Sequence, residues 1–279
     1  MQKADFINFR QYYKQAAVLI SADDYYQTFI THKVRHSAQV LKFGKKIIYQ
    51  TVELTTKTLD FVAAAERALL FHDVGRFEEG TLRYQAEQNK EYIAAASSQL
   101  NHGDLGYNTL LKNPLYNDPR ILAAVKFHGL MMEDVYNAPE WQNFMLLSNK
   151  EEINQILFLV RDADKLANLQ SIQKEQSLYR DIFYKQLPCE RRNAPLSVDV
   201  VEQFMARQTI LFPTVNTFAD RILMVISWIY DINYSASYRI SQENGYIKYL
   251  LAELEKYNLD KTLQQKIVNQ VNEAETKCE

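Results

Sequence analysis

Apolar side chains recur at three- and four-residue spacing along most of the chain, which is the period of a helix with one buried face. Strand-like alternation is nearly absent, and only seven glycines and six prolines interrupt the pattern. The chain is therefore predicted to be all-α. Examples of such helical stretches span 6–20, 25–48, 58–74, 120–127, 153–169 and 219–254.

Three positions predict where helices begin or end. Asp118 followed by Pro119 predicts a helix start, with the aspartate as cap and proline in the first turn. Gly75 and Gly129 each follow a helical pattern and are interpreted as stop signals.

The proline-containing stretch 187–197 is the best candidate for a break in the chain. It predicts a front domain over 1–185 and a C-terminal helical extension over 186–279. The extension contains an aromatic-rich helical pattern at 226–240 that is apolar almost all the way round. We therefore expect it to pack onto the front domain as part of the same globule.

Composition narrows the classes of function. Lys and Arg total 32 against 34 acidic residues, a net charge of −2, so a surface that coats nucleic acid is not indicated. The first 20 residues carry charges among their apolar positions, whereas a secretory signal needs an uninterrupted apolar core. No run approaches the roughly 18 apolar residues that a membrane-spanning helix requires. We expect a cytoplasmic protein without membrane contact, whose Cys189 and Cys278 are free thiols.

Four of the five histidines lie on different predicted helices, mostly near helix ends, which suggests that they converge on one site. Imidazole and carboxylate ligands together suit divalent ions such as Mn, Fe or Zn. Two such ions about 3.5–4 Å apart can share a hydroxide and neutralise a phosphate. The candidate ligands are His36, His72, Asp73, His102, His128 and Asp164.

Helix geometry limits how the two candidate aspartate ligands can reach the cluster. His72 and Asp73 are about 100° apart around a helix axis, so both reach one cluster only if the helix end points into it. Asp162 and Asp164 face roughly opposite sides of a helix, and Asp164 is the chosen ligand.

These residues make the chain resemble the HD-domain metal-dependent phosphohydrolases over roughly residues 30–170. The resemblance rests on His36 and on four phrases: FHDVGRF from Phe71, NHGDLG from Asn101, AVKFHG from Ala124 and RDADKL from Arg161. It implies an all-α, HD-domain-like helical bundle, on which the C-terminal helical extension is expected to pack. It fixes the type of reaction far better than the substrate.

The resemblance also implies roles for single residues. The first histidine, the His-Asp pair and the last aspartate bind one metal, and His102 and His128 complete a second site bridged by Asp73. One or two divalent ions are expected, among Mn, Fe, Mg, Ni, Co and Zn. Asp73 and Lys165 are expected to be catalytic. Arg76 and Lys165 are expected either to contact substrate phosphate, as guanidinium and ammonium groups do, or to steady a metal ligand.

Several residues keep two interpretations. Arg76 forms either a phosphate contact or an ion pair with Glu78, Glu79 or another helix. His32 is expected to be structural or at the rim. Asp104 and Asp162 either orient imidazoles or cap helices and face solvent. The aromatic residues of the extension are expected in its core more than in a base-stacking platform: Trp228, Tyr230, Tyr234 and Tyr238.

The leading hypothesis is hydrolysis of a phosphate ester or anhydride of a small molecule, in particular a nucleotide, by a metal-activated hydroxide. Such an enzyme would be a phosphomonoesterase or phosphodiesterase, and a homo-oligomer is compatible with the sequence. Two alternatives stay open: a di-iron oxygenase on the same fold, and a nucleotide sensor without catalysis.

Overall fold

The computed structural model describes residues 3–20, 23–88, 101–257 and 259–276, and Cys278 lies outside them. Every regular element among these residues is helical, which confirms the all-α prediction. The chain divides into two compact units, Met1–Asp164 and Lys165–Glu279. The boundary predicted after residue 185 falls inside the second unit and stays a prediction.

The first unit contains nine helices in the residues described and the start of a tenth. They are α1 (Lys3–Leu19), α2 (Asp24–Gln50), α3 (Val52–Thr55), α4 (Leu59–Phe71), α5 (Gly75–Gln88), α6 (His102–Leu111), α7 (Pro119–Phe127), α8 (Met132–Asn137), α9 (Pro139–Met145) and α10 (Lys150–Glu175). The division between the units falls within α10.

Side-chain caps fix where the helices of the site begin. Asp23, Thr58, Asn101 and Asp118 precede α2, α4, α6 and α7, and each accepts a hydrogen bond from a backbone N–H of the first turn. These bonds satisfy amides that have no partner inside the helix. The start predicted at Asp118 is confirmed, with Pro119 as the first helical residue.

Helix α4 lies in the middle of the first unit and packs against both α2 and α7. Its buried face includes Ala64, Ala65 and Ala68, whose small side chains allow a close approach. Because α2 carries His36 and the ends of α4 and α7 are followed by His72 and His128, this packing brings three imidazoles together.

Gly75 does not stop a helix: α4 ends at Phe71, and Gly75 is the first residue of α5. The glycine is required because α5 and α6 touch there. A Cβ added to Gly75 would lie 2.0 Å from the carbonyl oxygen of His102 and 2.5 Å from the amide nitrogen of Gly106. The prediction at Gly129 is confirmed, since α7 ends two residues before it.

The second unit continues with short helices: α11 (Ser177–Arg180), α12 (Ile182–Gln186), α13 (Cys189–Arg192), α14 (Val198–Met205), α15 (Phe218–Ile226), α16 (Ser235–Asn244), α17 (Tyr246–Leu254) and α18 (Lys261–Thr276). Three 3₁₀ turns lie between them, at Phe212–Thr214, Ser227–Asp231 and Glu255–Tyr257.

The prediction of one helical stretch over 219–254 is wrong. A 3₁₀ turn at Ser227–Asp231 ends α15, where the Ser227 hydroxyl donates to the carbonyl of Met224. Gly245 then separates α16 from α17 with a φ of 66°, a left-handed conformation that favours glycine. The aromatic pattern at 226–240 is therefore a 3₁₀ turn, a connection and the start of α16.

The aromatic side chains of this region serve its core. Tyr234 and Tyr238 are buried, and the Tyr238 hydroxyl donates to the carbonyl of Ile229. Tyr230 is half-buried against the ring of Phe204. Within the described ranges, no helix has the length and apolar character needed to cross a bilayer.

Replacing Gly75 by alanine should destabilise the first unit. The new methyl group would meet backbone atoms of α6, which cannot rotate away as a side chain can, so we expect a loss of about 1–3 kcal/mol in the free energy of unfolding. Denaturant titration measures this quantity. Gly80→Ala on the same helix is the control, because its Cβ would meet only side chains at 3.2 Å or more, and its effect should stay within about 1 kcal/mol.

Candidate metal centre

The six predicted ligands converge in the first unit, and most of them come from helix ends. His36 lies within α2, while His72 and Asp73 occupy the turn between α4 and α5. His102 is the first residue of α6, and His128 directly follows α7. Asp164 comes from α10.

The two carboxylate oxygens of Asp73 face different pairs of imidazoles. Oδ2 lies 3.6 Å from Nε2 of His72 and 3.9 Å from Nε2 of His36. Oδ1 lies 3.6 Å from Nε2 of His102 and 3.6 Å from Nε2 of His128. Asp73 thus stands between two groups of donors and belongs to both.

Asp164 joins the first of these groups. Its Oδ1 lies 2.8 Å from Nε2 of His36 and 3.9 Å from Nε2 of His72. In the second group, Nε2 of His102 lies 3.2 Å from Nε2 of His128. Within each group, the donor atoms therefore lie close to one another.

Backbone hydrogen bonds fix the tautomers of two imidazoles. Nδ1 of His72 lies 2.9 Å from the carbonyl of Leu69, and Nδ1 of His128 lies 3.0 Å from the carbonyl of Val125. A carbonyl oxygen only accepts, so each Nδ1 donates and each Nε2 turns a lone pair to the cluster. Nε2 of His72 is buried without a hydrogen-bond partner, as expected of an atom whose partner is a metal ion.

Burial keeps two of the imidazoles, those of His72 and His102, uncharged. It lowers the pKa of His72 to about 4 and the pKa of His102 to about 2, so both rings are neutral at neutral pH. Burial by itself would raise the pKa of Asp73, but Lys33 and the imidazoles outweigh it and hold that pKa well below its ordinary value. The pKa of Asp164 is lowered despite its burial, chiefly by the hydrogen bond with His36.

This donor set fits divalent metal ions. His36, His72 and Asp73 offer one donor atom each within 4.8 Å of one another, and Asp73, His102 and His128 do the same. Neutral imidazoles and ionised carboxylates are the forms that bind such ions. The two groups share Asp73 and together offer donor atoms for one or two ions.

Two cations flank Asp73. Nζ of Lys33 lies 2.9 Å from Oδ2, and Nε of Arg76 lies 3.5 Å from Oδ1. Nη1 of Arg76 also pairs with Glu79 at 2.7 Å, so the ion pair considered from the sequence is present. The role of Arg76 in binding substrate stays a prediction.

Lys33 was not among the site residues predicted from the sequence. Its position three residues before His36 on α2 places both side chains on one helix face.

The remaining predicted residues have other partners. Lys165 forms an ion pair of 2.8 Å with Asp231 in the second unit, and its roles in catalysis and phosphate binding stay predictions. Asp104 pairs with Lys126, and Asp162 is fully buried. The ring of His32 lies nearly parallel to that of His36, with centroids 6.4 Å apart.

Comparison with known proteins identifies this region. The family model of the HD domain matches residues 34–169, which include all six clustered side chains. Residues 34–169 form an HD domain. The resemblance stated from the sequence is thereby confirmed. HD domains bind divalent metals and define a superfamily of metal-dependent phosphohydrolases. No curated protein and no solved structure matches the chain.

Single substitutions should distinguish the two donor groups by the number of metal ions that the protein retains. His102→Ala removes a donor from one group only, so the protein should keep about one tightly bound ion per chain where the unaltered protein keeps about two. Asp73→Ala removes the shared donor and should lose both. Metal analysis after dialysis gives the counts, with His32→Ala as the control that retains both ions. Equal metal content in all four proteins would contradict the assignment.

Proposed function

We propose that the HD domain hydrolyses a phosphate ester or anhydride of a small molecule. The observation that carries this proposal is the position of Asp73, whose two oxygens each face a separate pair of imidazoles. A carboxylate in this position suits a pair of divalent ions rather than one. Ions held there would supply a nucleophile from water at neutral pH and neutralise charge on a phosphate.

The protein's own residues hold this arrangement in place. The hydrogen bonds from His72 to Leu69 and from His128 to Val125 fix the direction of each ring. The depressed pKa of His72 keeps protons from competing for its Nε2. The site is therefore organised before any ligand arrives, and little reorganisation is needed on binding.

With divalent ions bound, the charge of the centre would favour an anionic substrate. Lys33 and Arg76 add two positive charges beside Asp73, in a chain whose net charge is only −2. Guanidinium and ammonium groups are common partners of phosphate oxygens. Within small phosphorylated molecules, we propose nucleotides as the substrate class.

A phosphate-release assay tests the proposal directly. Aryl phosphates and a panel of nucleotides are incubated with the purified protein and Mn²⁺, Co²⁺, Ni²⁺ or Mg²⁺. We expect metal-dependent release of phosphate, abolished by chelation and by Asp73→Asn, which removes a charge and a metal-binding oxygen at almost constant volume. Asp134→Asn, at an exposed position in the first turn of α8, is the matched control and should retain activity.

Two results would contradict this function. The fully metal-loaded protein could release no phosphate from the whole panel. Alternatively, it could consume oxygen with bound iron and leave phosphate esters intact, which is the outcome that the oxygenase alternative requires.

A further inference from the structure

Lys33 lies at the mouth of the metal centre. It precedes His36 by one turn of α2, and 18% of its side chain is exposed, against 4% for Asp73. Its ammonium pairs with Oδ2 of Asp73 at 2.9 Å. The group therefore has access both to the buried carboxylate and to a molecule arriving from solvent.

The oxygen that Lys33 holds is also an oxygen of the first donor group. Oδ2 faces Nε2 of His72 at 3.6 Å and Nε2 of His36 at 3.9 Å. A divalent ion in that group and the ammonium of Lys33 would be drawn to the same atom. Because like charges repel, a metal ion on Oδ2 would weaken the contact between that oxygen and the ammonium of Lys33.

Arg76 is in a different position. It approaches the other oxygen of Asp73, and its guanidinium is already paired with Glu79, which is almost fully buried. That carboxylate can compensate the charge of Arg76 whether or not the centre holds metal. Lys33, once displaced from Oδ2, would have its charge best compensated by a new anion at the mouth of the site.

Resting on the proposed function, we propose that Lys33 exchanges its partner on metal binding: it holds Asp73 in the metal-free protein and binds substrate phosphate in the metal-loaded protein. The exchange involves no covalent step. It couples the two ligands, because metal binding releases the cation that phosphate binding then uses.

Isothermal titration with Mn²⁺ alone and with inorganic phosphate tests the exchange without any turnover. Lys33→Gln should bind Mn²⁺ about threefold or more tightly, since a competing cation is removed. The Mn²⁺-loaded variant should bind phosphate about tenfold more weakly, since a charge-assisted hydrogen bond is lost. Lys33→Arg should retain phosphate binding.

Lys42→Gln, at an exposed position of the same helix, is the matched control. It should leave the affinities for Mn²⁺ and for phosphate within about twofold of those of the unaltered protein.

Weaker Mn²⁺ binding by a folded Lys33→Gln protein would overturn the proposal, because it would show that Lys33 only stabilises Asp73. Unchanged phosphate affinity would overturn it as well. The unaltered protein gives a test that needs no variant: phosphate should bind more tightly in the presence of Mn²⁺ than in its absence, and equal affinities would overturn the proposal. If these binding results hold and no substrate is hydrolysed, the proposed function fails while the exchange stands.

Discussion

The carboxylate of Asp73 is the group on which the rest of the HD domain depends. It is buried and ionised, and each of its oxygens faces two imidazole nitrogens. A buried charge is costly unless other charges and hydrogen bonds compensate it. Lys33 and Arg76 compensate it within the protein, while the imidazoles around it are arranged for cations that the protein itself does not supply.

Helix ends provide the geometry that this carboxylate needs. Two neighbouring residues of a continuous helix diverge by about 100°, so His72 and Asp73 could not both face one point from the middle of α4. Since α4 ends at Phe71, the turn that follows directs both side chains to the cluster. Gly75 then admits the backbone of α6 at a distance that no side chain would allow, and this brings His102 to the same place.

The sequence predicted the helical class, the capped start at Asp118 and the six clustered side chains, because rare imidazoles at helix ends and the ordered His-Asp phrases are local signals. It did not predict a role for Lys33 at the site, because the partner of Lys33, Asp73, lies 40 positions away. The two side chains meet only when α2 packs on α4. The prediction of one helical stretch over 219–254 was wrong, because a continuous apolar pattern does not reveal a 3₁₀ turn. Substrate identity depends on the shape and charge of a whole surface, which single phrases do not encode.

The most direct test of the role of Asp73 is a crystal structure of the Mn²⁺-soaked protein with an anomalous difference map. We expect two peaks about 3.5–4 Å apart, with one oxygen of Asp73 on each, His36, His72 and Asp164 on the first ion, and His102 and His128 on the second. A single peak, or two peaks that do not share Asp73, would contradict it.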